Sequence, residues 1–272
     1  MVVATSFGPG TLGRLDAAVR RSGSVSRRNL AALRSAYWIV VLSGIAEPVL
    51  YLFSIGIGVG HLVGRLPLPD GRLVPYAEYV APAMLASSAM TGALAESTFN
   101  FFGKMKYMRL YDGVLATPVR PMELATGELL WAMARGAIYS VAFLGVMVAM
   151  GLTRPGWALA ALPATLLAGF AFGGVGMALS TYMRSWQDFD IVGTVQFALF
   201  LFSGTFAPVA SYPPAMRWLV EATPLYHAVE LIRGLTTGSI RPALLLHAGY
   251  LVLLTVLGLV VAGRRMARLL LK

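Results

Sequence analysis

Few residues in this chain are of a type and spacing that could perform covalent chemistry. Its three histidines, His61, His227 and His247, lie far apart, and none belongs to an H-E-x-x-H run or another ligand-gathering spacing. Cysteine is absent, which removes thiol nucleophiles, thiolate ligands and disulfides. Ser87-Ser88 has no histidine beside it, and no G-x-S-x-G elbow occurs. The chain also lacks a G-x-x-x-x-G-K-S/T phosphate cradle, so it does not hydrolyse ATP through a P-loop. The remaining candidates are carboxylates in apolar surroundings. Glu96, Glu128 and Arg135 lie about one turn inside a membrane boundary, where a structural Glu–Arg pair or contact with a partner chain is favoured over catalysis. Glu47 falls near the middle of an apolar run, just before Pro48, and needs a partner, a proton or a water-filled cavity. Structural and functional readings stand level for Glu47.

The elements carrying these residues are membrane helices. Of 272 residues, 57% are hydrophobic and 12% charged, against about 25% charged in soluble domains, and the mean hydropathy is +0.71. An all-α integral membrane protein follows. Helices need about 20 mostly apolar residues to cross a bilayer, and six spans are expected over 36–60, 79–101, 129–150, 157–183, 191–206 and 243–263. The first begins too far along and runs too long for a signal-peptide core, so it should remain as an anchor. With six spans, fifteen Lys and Arg residues outside them fall on one side and six on the other. The positive-inside rule then makes both termini cytoplasmic. The net charge of +10 reflects this orientation, and no aromatic-basic surface or motif points to nucleic acid.

Residues 1–35 form a separate unit. Leu12, Leu15, Val19, Leu30 and Leu33 share one helical arc, and Arg14, Arg21, Arg28, Arg20, Arg27 and Arg34 take the opposite side. A basic amphipathic helix in the headgroup layer fits this pattern better than a disordered tail. Within the spans, Gly56 and Gly60, and Gly169 and Gly173, have the spacing that lets helices approach closely.

Two segments break the apolar pattern. Between the second and third spans, 103–117 reads as a short amphipathic cytoplasmic helix, with Lys104, Lys106 and Arg109 outward and Met105, Met108 and Leu115 available for packing. Thr117-Pro118 ends it and Pro121 starts the next helix. A docking surface for a cytoplasmic partner suits this composition. Between the fifth and sixth spans, 203–235 is too polar to span and too apolar for a free loop. Two proline-started half-helices, about 214–222 and 225–234, would dip into the outer leaflet and return. His227, Glu230 and Arg233 share one face there, to hold a gate closed, meet a polar headgroup or tile the water-facing side.

The runs EPVLYLFSIGIGVG, YDGVLATPVRPMELATGELLW, FSGTFAPVASYPP and TPLYHAVELIRGL, in this order, resemble the permease subunit of an ABC-2 type ABC exporter (the type V exporter fold). The similarity covers almost the whole chain, in particular to nodulation-factor (lipo-oligosaccharide) and daunorubicin-resistance exporter permeases. The resemblance implies that the segment after the second span is a coupling helix docking on a separate ATPase. Lys104, Lys106, Arg109, Tyr111, Asp112, Gly113, Leu115 and Pro118 would carry that contact. The N-terminal helix would be the interfacial connecting helix. Phe206, Pro208, Pro224, Tyr226, His227, Glu230 and Arg233 would form an extracytoplasmic gate.

The resemblance further implies a multi-pass permease of the cell membrane that is not itself an enzyme and binds no cofactor. ATP and Mg2+ would sit on two copies of a cytoplasmic P-loop ATPase. A second permease copy or a paralogue would complete the pathway among membrane lipids. The cargo would be an amphipathic drug or antibiotic, a lipid or a glycolipid. A proton-coupled or passive carrier centred on Glu47 is one alternative. A lipid-modifying enzyme is another, and would need an interfacial cluster of acids or histidines.

Overall fold

The computed structural model describes residues 50–270. The amphipathic 1–35 unit, Glu47 and most of the first expected span lie outside the described residues. Helical turns end that span at Gly60–Val63. Two short strands follow, β1 (Arg65–Pro67) and β2 (Leu73–Pro75), paired antiparallel with Leu66 opposite Val74. This hairpin is a small addition to the expected all-helical fold. Asp70 pairs with Arg72 Nε at 2.8 Å, and Arg72 Nη2 donates to the Thr237 carbonyl at 3.0 Å, fixing the hairpin to the bundle. Burial pushes the Asp70 carboxyl up, but the nearby Ser239 hydroxyl and the hydrogen bonds and charge of Arg72 outweigh it and bring its pKa to about 2.

Helix α1 (Tyr76–Ala95) does not stop near 101 as expected. It continues through a wide turn at Glu96–Asn100 and a second at Gly103–Tyr107. At the first, the Thr98 hydroxyl donates to the Leu94 carbonyl at 2.5 Å, taking an acceptor that the regular ladder would use. The chain breaks at Arg109, whose φ of 48° is left-handed, and α2 (Leu110–Leu115) follows. The expected single helix over 103–117 is therefore two pieces. Lys104 and Lys106 belong to the end of the long helix, and α2 carries the rest.

Helix α3 (Pro121–Ala149) begins eight residues before the expected span. Pro121 takes the first position, and the Arg120 N–H donates to the Glu123 carboxylate at 3.0 Å. Next come α4 (Pro155–Ser180), α5 (Phe189–Leu201), α6 (Pro214–Glu221), α7 (Pro224–Thr236) and α8 (Ala243–Leu270). Among the described residues, α3, α4 and α8 are long and apolar enough to cross a membrane. Leu245, Leu246, Leu253 and Leu257 of α8 are more than half exposed, as hydrocarbon solvent permits. Helix α5 ends five residues short of the expected 206. At about 20 Å it falls short of a hydrocarbon core of roughly 30 Å.

Helix α4 is central and packs on α1, α3, α7 and α8. Its glycines receive neighbours that a side chain would displace. A Cβ at Gly173 would lie 2.4 Å from Leu129 Cδ1, and one at Gly169 2.7 Å from Met133 Sδ. At the α4–α8 crossing, a Cβ on Gly258 would lie 2.4 Å from the Gly174 carbonyl carbon, backbone against backbone. Gly258→Ala should therefore cost about 1–3 kcal/mol and lower the Tm in detergent. Gly145→Ala, with nothing within 4 Å, should leave the Tm unchanged or raise it, since alanine is the better helix former. Equal Tm values for the two variants would contradict the close crossing.

Candidate functional site

The end of the bundle next to α2 is organised by charge pairs between α1 and α3. Arg135 Nη1 lies 2.7 Å from Glu96 Oε1, and Lys104 Nζ lies 2.6 Å from Glu128 Oε2, with Glu128 almost wholly buried. Glu96 with Arg135, and Glu128 with Lys104, thus form two cross-helix pairs instead of one acidic cluster. Lys104 points inward, contrary to expectation, because Glu128 offers its nearest counter-charge. Lys106 donates to the Arg184 carbonyl and sits over the Phe102 ring at 5.4 Å.

Beyond Arg109, α2 has two faces. Tyr111 is fully buried with its ring 5.3 Å from Phe101, while Val114 and Leu115 pack on the core. Arg109, Asp112, Gly113 and Pro118 are exposed, and space around Gly113 is open. Met108, expected to pack, is 73% exposed. One face is locked to the bundle, and the other is free for a partner.

Within the membrane region, a cavity of about 350 Å3 opens between α1, α3 and α5. Its polar lining includes Ser87, Ser88, Thr91 and Gln196, and Phe197 and Phe200 add aromatic surface. Gln196 Nε2 donates to Thr91 Oγ1 at 2.8 Å across α5 and α1. Among the described residues, none lining the cavity is charged. The site can host an uncharged, hydrogen-bonding group with apolar flanks. Gln196 was not singled out from sequence, because a lone amide in an apolar run shows no spacing.

At the opposite end, Arg233 is 2% exposed. Its Nη1 donates to Glu230 Oε1 at 2.8 Å, Nε to the Tyr79 carbonyl at 3.1 Å and Nη2 to the Gly204 carbonyl at 2.9 Å. The guanidinium also lies 3.8 Å from the Tyr79 ring centroid. Arg241 Nη2 reaches Glu230 Oε2 at 3.4 Å. These contacts join α7 to α1, to the segment after α5 and to the start of α8. Tiling a water-facing side is therefore excluded for Glu230 and Arg233. Gly204, at φ +69°, holds its carbonyl in place where a Cβ would be strained.

His227 and His247, remote in sequence, meet with Nδ1 atoms 2.7 Å apart, and Tyr250 stacks on His227 at 3.9 Å. Tyr226 stands edge-on to both imidazoles. Phe206 packs edge-on to Phe200 at 5.2 Å, Pro208 precedes the turn Val209–Ser211, and Pro224 opens α7. Among the described residues, no group of three or more His, Asp and Glu could hold a metal ion. Removing the guanidinium with Arg233→Met would leave a buried carboxylate poorly compensated, at a cost of about 3–5 kcal/mol. Arg241→Gln, at a part-exposed partner, should cost under about 1 kcal/mol. Thermal unfolding of the two variants in one detergent checks that order, and a reversal would refute the hub role of Arg233.

Residues 23–236 match the ABC-2 type transporter family. Over 251 residues the chain is 33% identical to Nodulation protein J of Rhizobium leguminosarum bv. viciae, covering 92% of this chain and 95% of that protein. It is 34% identical over 211 residues to Nodulation protein J of Sinorhizobium fredii, covering 77% and 79% of the two chains. Identity to the inner membrane transport permease YadH of Escherichia coli is 24% over 203 residues, with 72% and 75% covered. The chain belongs to the ABC-2 type transporter family and is a membrane component of a transporter.

Proposed function

We propose that this chain is the permease subunit of an ATP-driven exporter, moving an amphipathic substrate outward across the cytoplasmic membrane. The observation that carries the reading is the two-faced α2. It is anchored through buried Tyr111 and offers Arg109, Asp112 and Gly113 to a partner. A chain without a phosphate cradle needs such a surface to receive work from a separate ATPase. In this reading six helices span the bilayer, α6 and α7 re-enter from the outer side, and both termini are cytoplasmic. Two ATPases and a second permease, identical or paralogous, complete the machine. ATP and Mg2+ belong to the ATPases.

The cavity supports the substrate class. Hydroxyls, one amide and aromatic rings without charge suit an amphiphile with an uncharged polar head, as in a glycolipid or a neutral drug. The Arg233 hub supports an outer gate, since it links α7 to α1 and to the segment after α5. Glu47, outside the described residues, remains a proposed contributor to the pathway.

The deciding experiment purifies the chain in lipid with its ATPase and measures ATP hydrolysis and transport. Truncating docking contacts costs more than about 1 kcal/mol each where they are central. Arg109→Ala with Asp112→Ala should therefore reduce coupled transport roughly tenfold while the permease remains folded. An unaffected double variant, or a chain that transports without any ATPase, would refute the coupling role of α2.

A further inference from the structure

A group of rings on the cytoplasmic side, absent from the sequence reading, joins the helix that leads to α2 with the helix that lines the cavity. Phe99, Phe102 and Tyr107 come from the extended end of α1, and Trp186 and Phe189 from the α4–α5 connection and the start of α5. Trp186 lies at their centre. It stacks on Tyr107 at 5.4 Å and 11°, faces Phe99 at 6.2 Å and 12°, meets Phe102 edge-on at 5.3 Å and touches Phe189 at 5.6 Å. Phe189 also stacks on Phe99 at 4.5 Å. The Lys106 ammonium adds a hydrogen bond to the Arg184 carbonyl across the same boundary.

Each side of this joint is held by local hydrogen bonds. Trp186 sits in a single helical turn, Trp186–Asp188, closed by the Asp188 carboxylate. That carboxylate accepts from the Arg184 N–H at 2.6 Å, the Ser185 N–H at 3.2 Å and the Ser185 hydroxyl at 3.3 Å. On the other side the rings ride on helix that runs unbroken to Tyr107, just before the left-handed Arg109.

Helix α5 has a lighter hold towards its other end, where Leu199 and Phe200 are partly buried against the core and Phe200 meets Phe206 edge-on. Among the described residues it buries Phe189 alone, and Ile191, Val195 and Phe197 are more than half exposed. Its further hold on α1 is the Gln196–Thr91 hydrogen bond at the cavity wall. Trp186 itself is 43% exposed, whereas Phe102 and Phe189 beneath it are buried, so Trp186 is the member of the stack that can be trimmed with least loss of core.

We propose that the Trp186 stack is the joint through which displacement of the α2 segment moves α5 and reshapes the cavity, with Trp186 as a positioning residue. The proposal rests on the permease–ATPase reading. Displacement arriving at α2 acts on the α1 extension, whose rings bear on Trp186 and Phe189, and α5 follows from its cytoplasmic end. Trp186 supplies the largest area and touches rings on both sides, so its loss should separate ATP hydrolysis from α5 movement.

The chain has no cysteine, so Val195→Cys, outside the cavity lining, places one thiol on α5. The complex with its ATPase is reconstituted in lipid, and maleimide labelling is read on the permease band without nucleotide and after ATP–vanadate trapping. With Trp186 intact the two labelling rates should differ. Trp186→Ala should keep ATPase binding and hydrolysis but lose the difference, and Trp186→Phe should restore it. Tyr107→Leu, at an exposed position, provides a second variant in which the difference should shrink.

A Trp186→Ala complex that hydrolyses ATP and keeps the full difference would overturn the joint. So would loss of the difference in Lys104→Met with retention in Trp186→Ala, which would route the motion through Glu128 and α3. A complex with intact Trp186 that binds no ATPase, or shows no nucleotide-dependent difference, would overturn the permease–ATPase reading and the joint with it.

Discussion

A guanidinium withdrawn from water must have its charge and donors met by protein, and Arg233 imposes that demand on the elements packed around α7. The Glu230 carboxylate, two backbone carbonyls and an aromatic face meet it, and they come from three separate stretches of chain. Each partner is constrained in turn. Gly204 takes a left-handed conformation, Tyr79 presents both ring and carbonyl, and Arg241 shares the carboxylate. Removing one contact leaves a charge short of partners in a medium that does not supply them. Helix α7 is therefore seated against α1 and the segment after α5 and is not a loose loop.

The end of the bundle next to α2 obeys the same physics with a different outcome. Lys104–Glu128 and Arg135–Glu96 pair across α1 and α3, which leaves Arg109 and Asp112 to face outward. Inward charges hold the helices, and outward charges are available to another chain. Between the two ends lies a cavity without charge, where an ionic side chain would bind a permanent counter-ion more tightly than a passing neutral solute.

Much of this was legible before any coordinates. The apolar runs placed α4 to within a few residues at both ends and α8 at its start, whereas α3 begins at Pro121, eight residues before the expected 129. Small residues at Gly169 and Gly173 marked a close helix contact. Sequence reasoning failed where hydrogen bonding departed from regular helix. The Thr98 hydroxyl widens α1 without disturbing its hydropathy, so the helix was read as ending early and Lys104 as facing outward. It also failed for partners distant in the chain: His247 lies 20 residues from His227, and Tyr79 154 from Arg233. Arg233 itself carried a signal, because an arginine set in Leu-Ile-Arg-Gly-Leu has no obvious route to water.

The notches along α4 carry a consequence for how such a chain can change over generations. Leu129 occupies the space that a side chain at 173 would need, the Ser97 hydroxyl stands where a Cβ at Gly176 would fall, and Gly258 meets backbone alone. At 129 and 97 a trimmed partner could make room, so those two pairs are free to drift together. At 258 there is nothing to trim, and glycine there is locked by the path of the chain itself. Related proteins should therefore exchange bulk between 129 and 173 as matched sets while 258 stays invariant, and a change at one member alone should persist only where the other has already yielded.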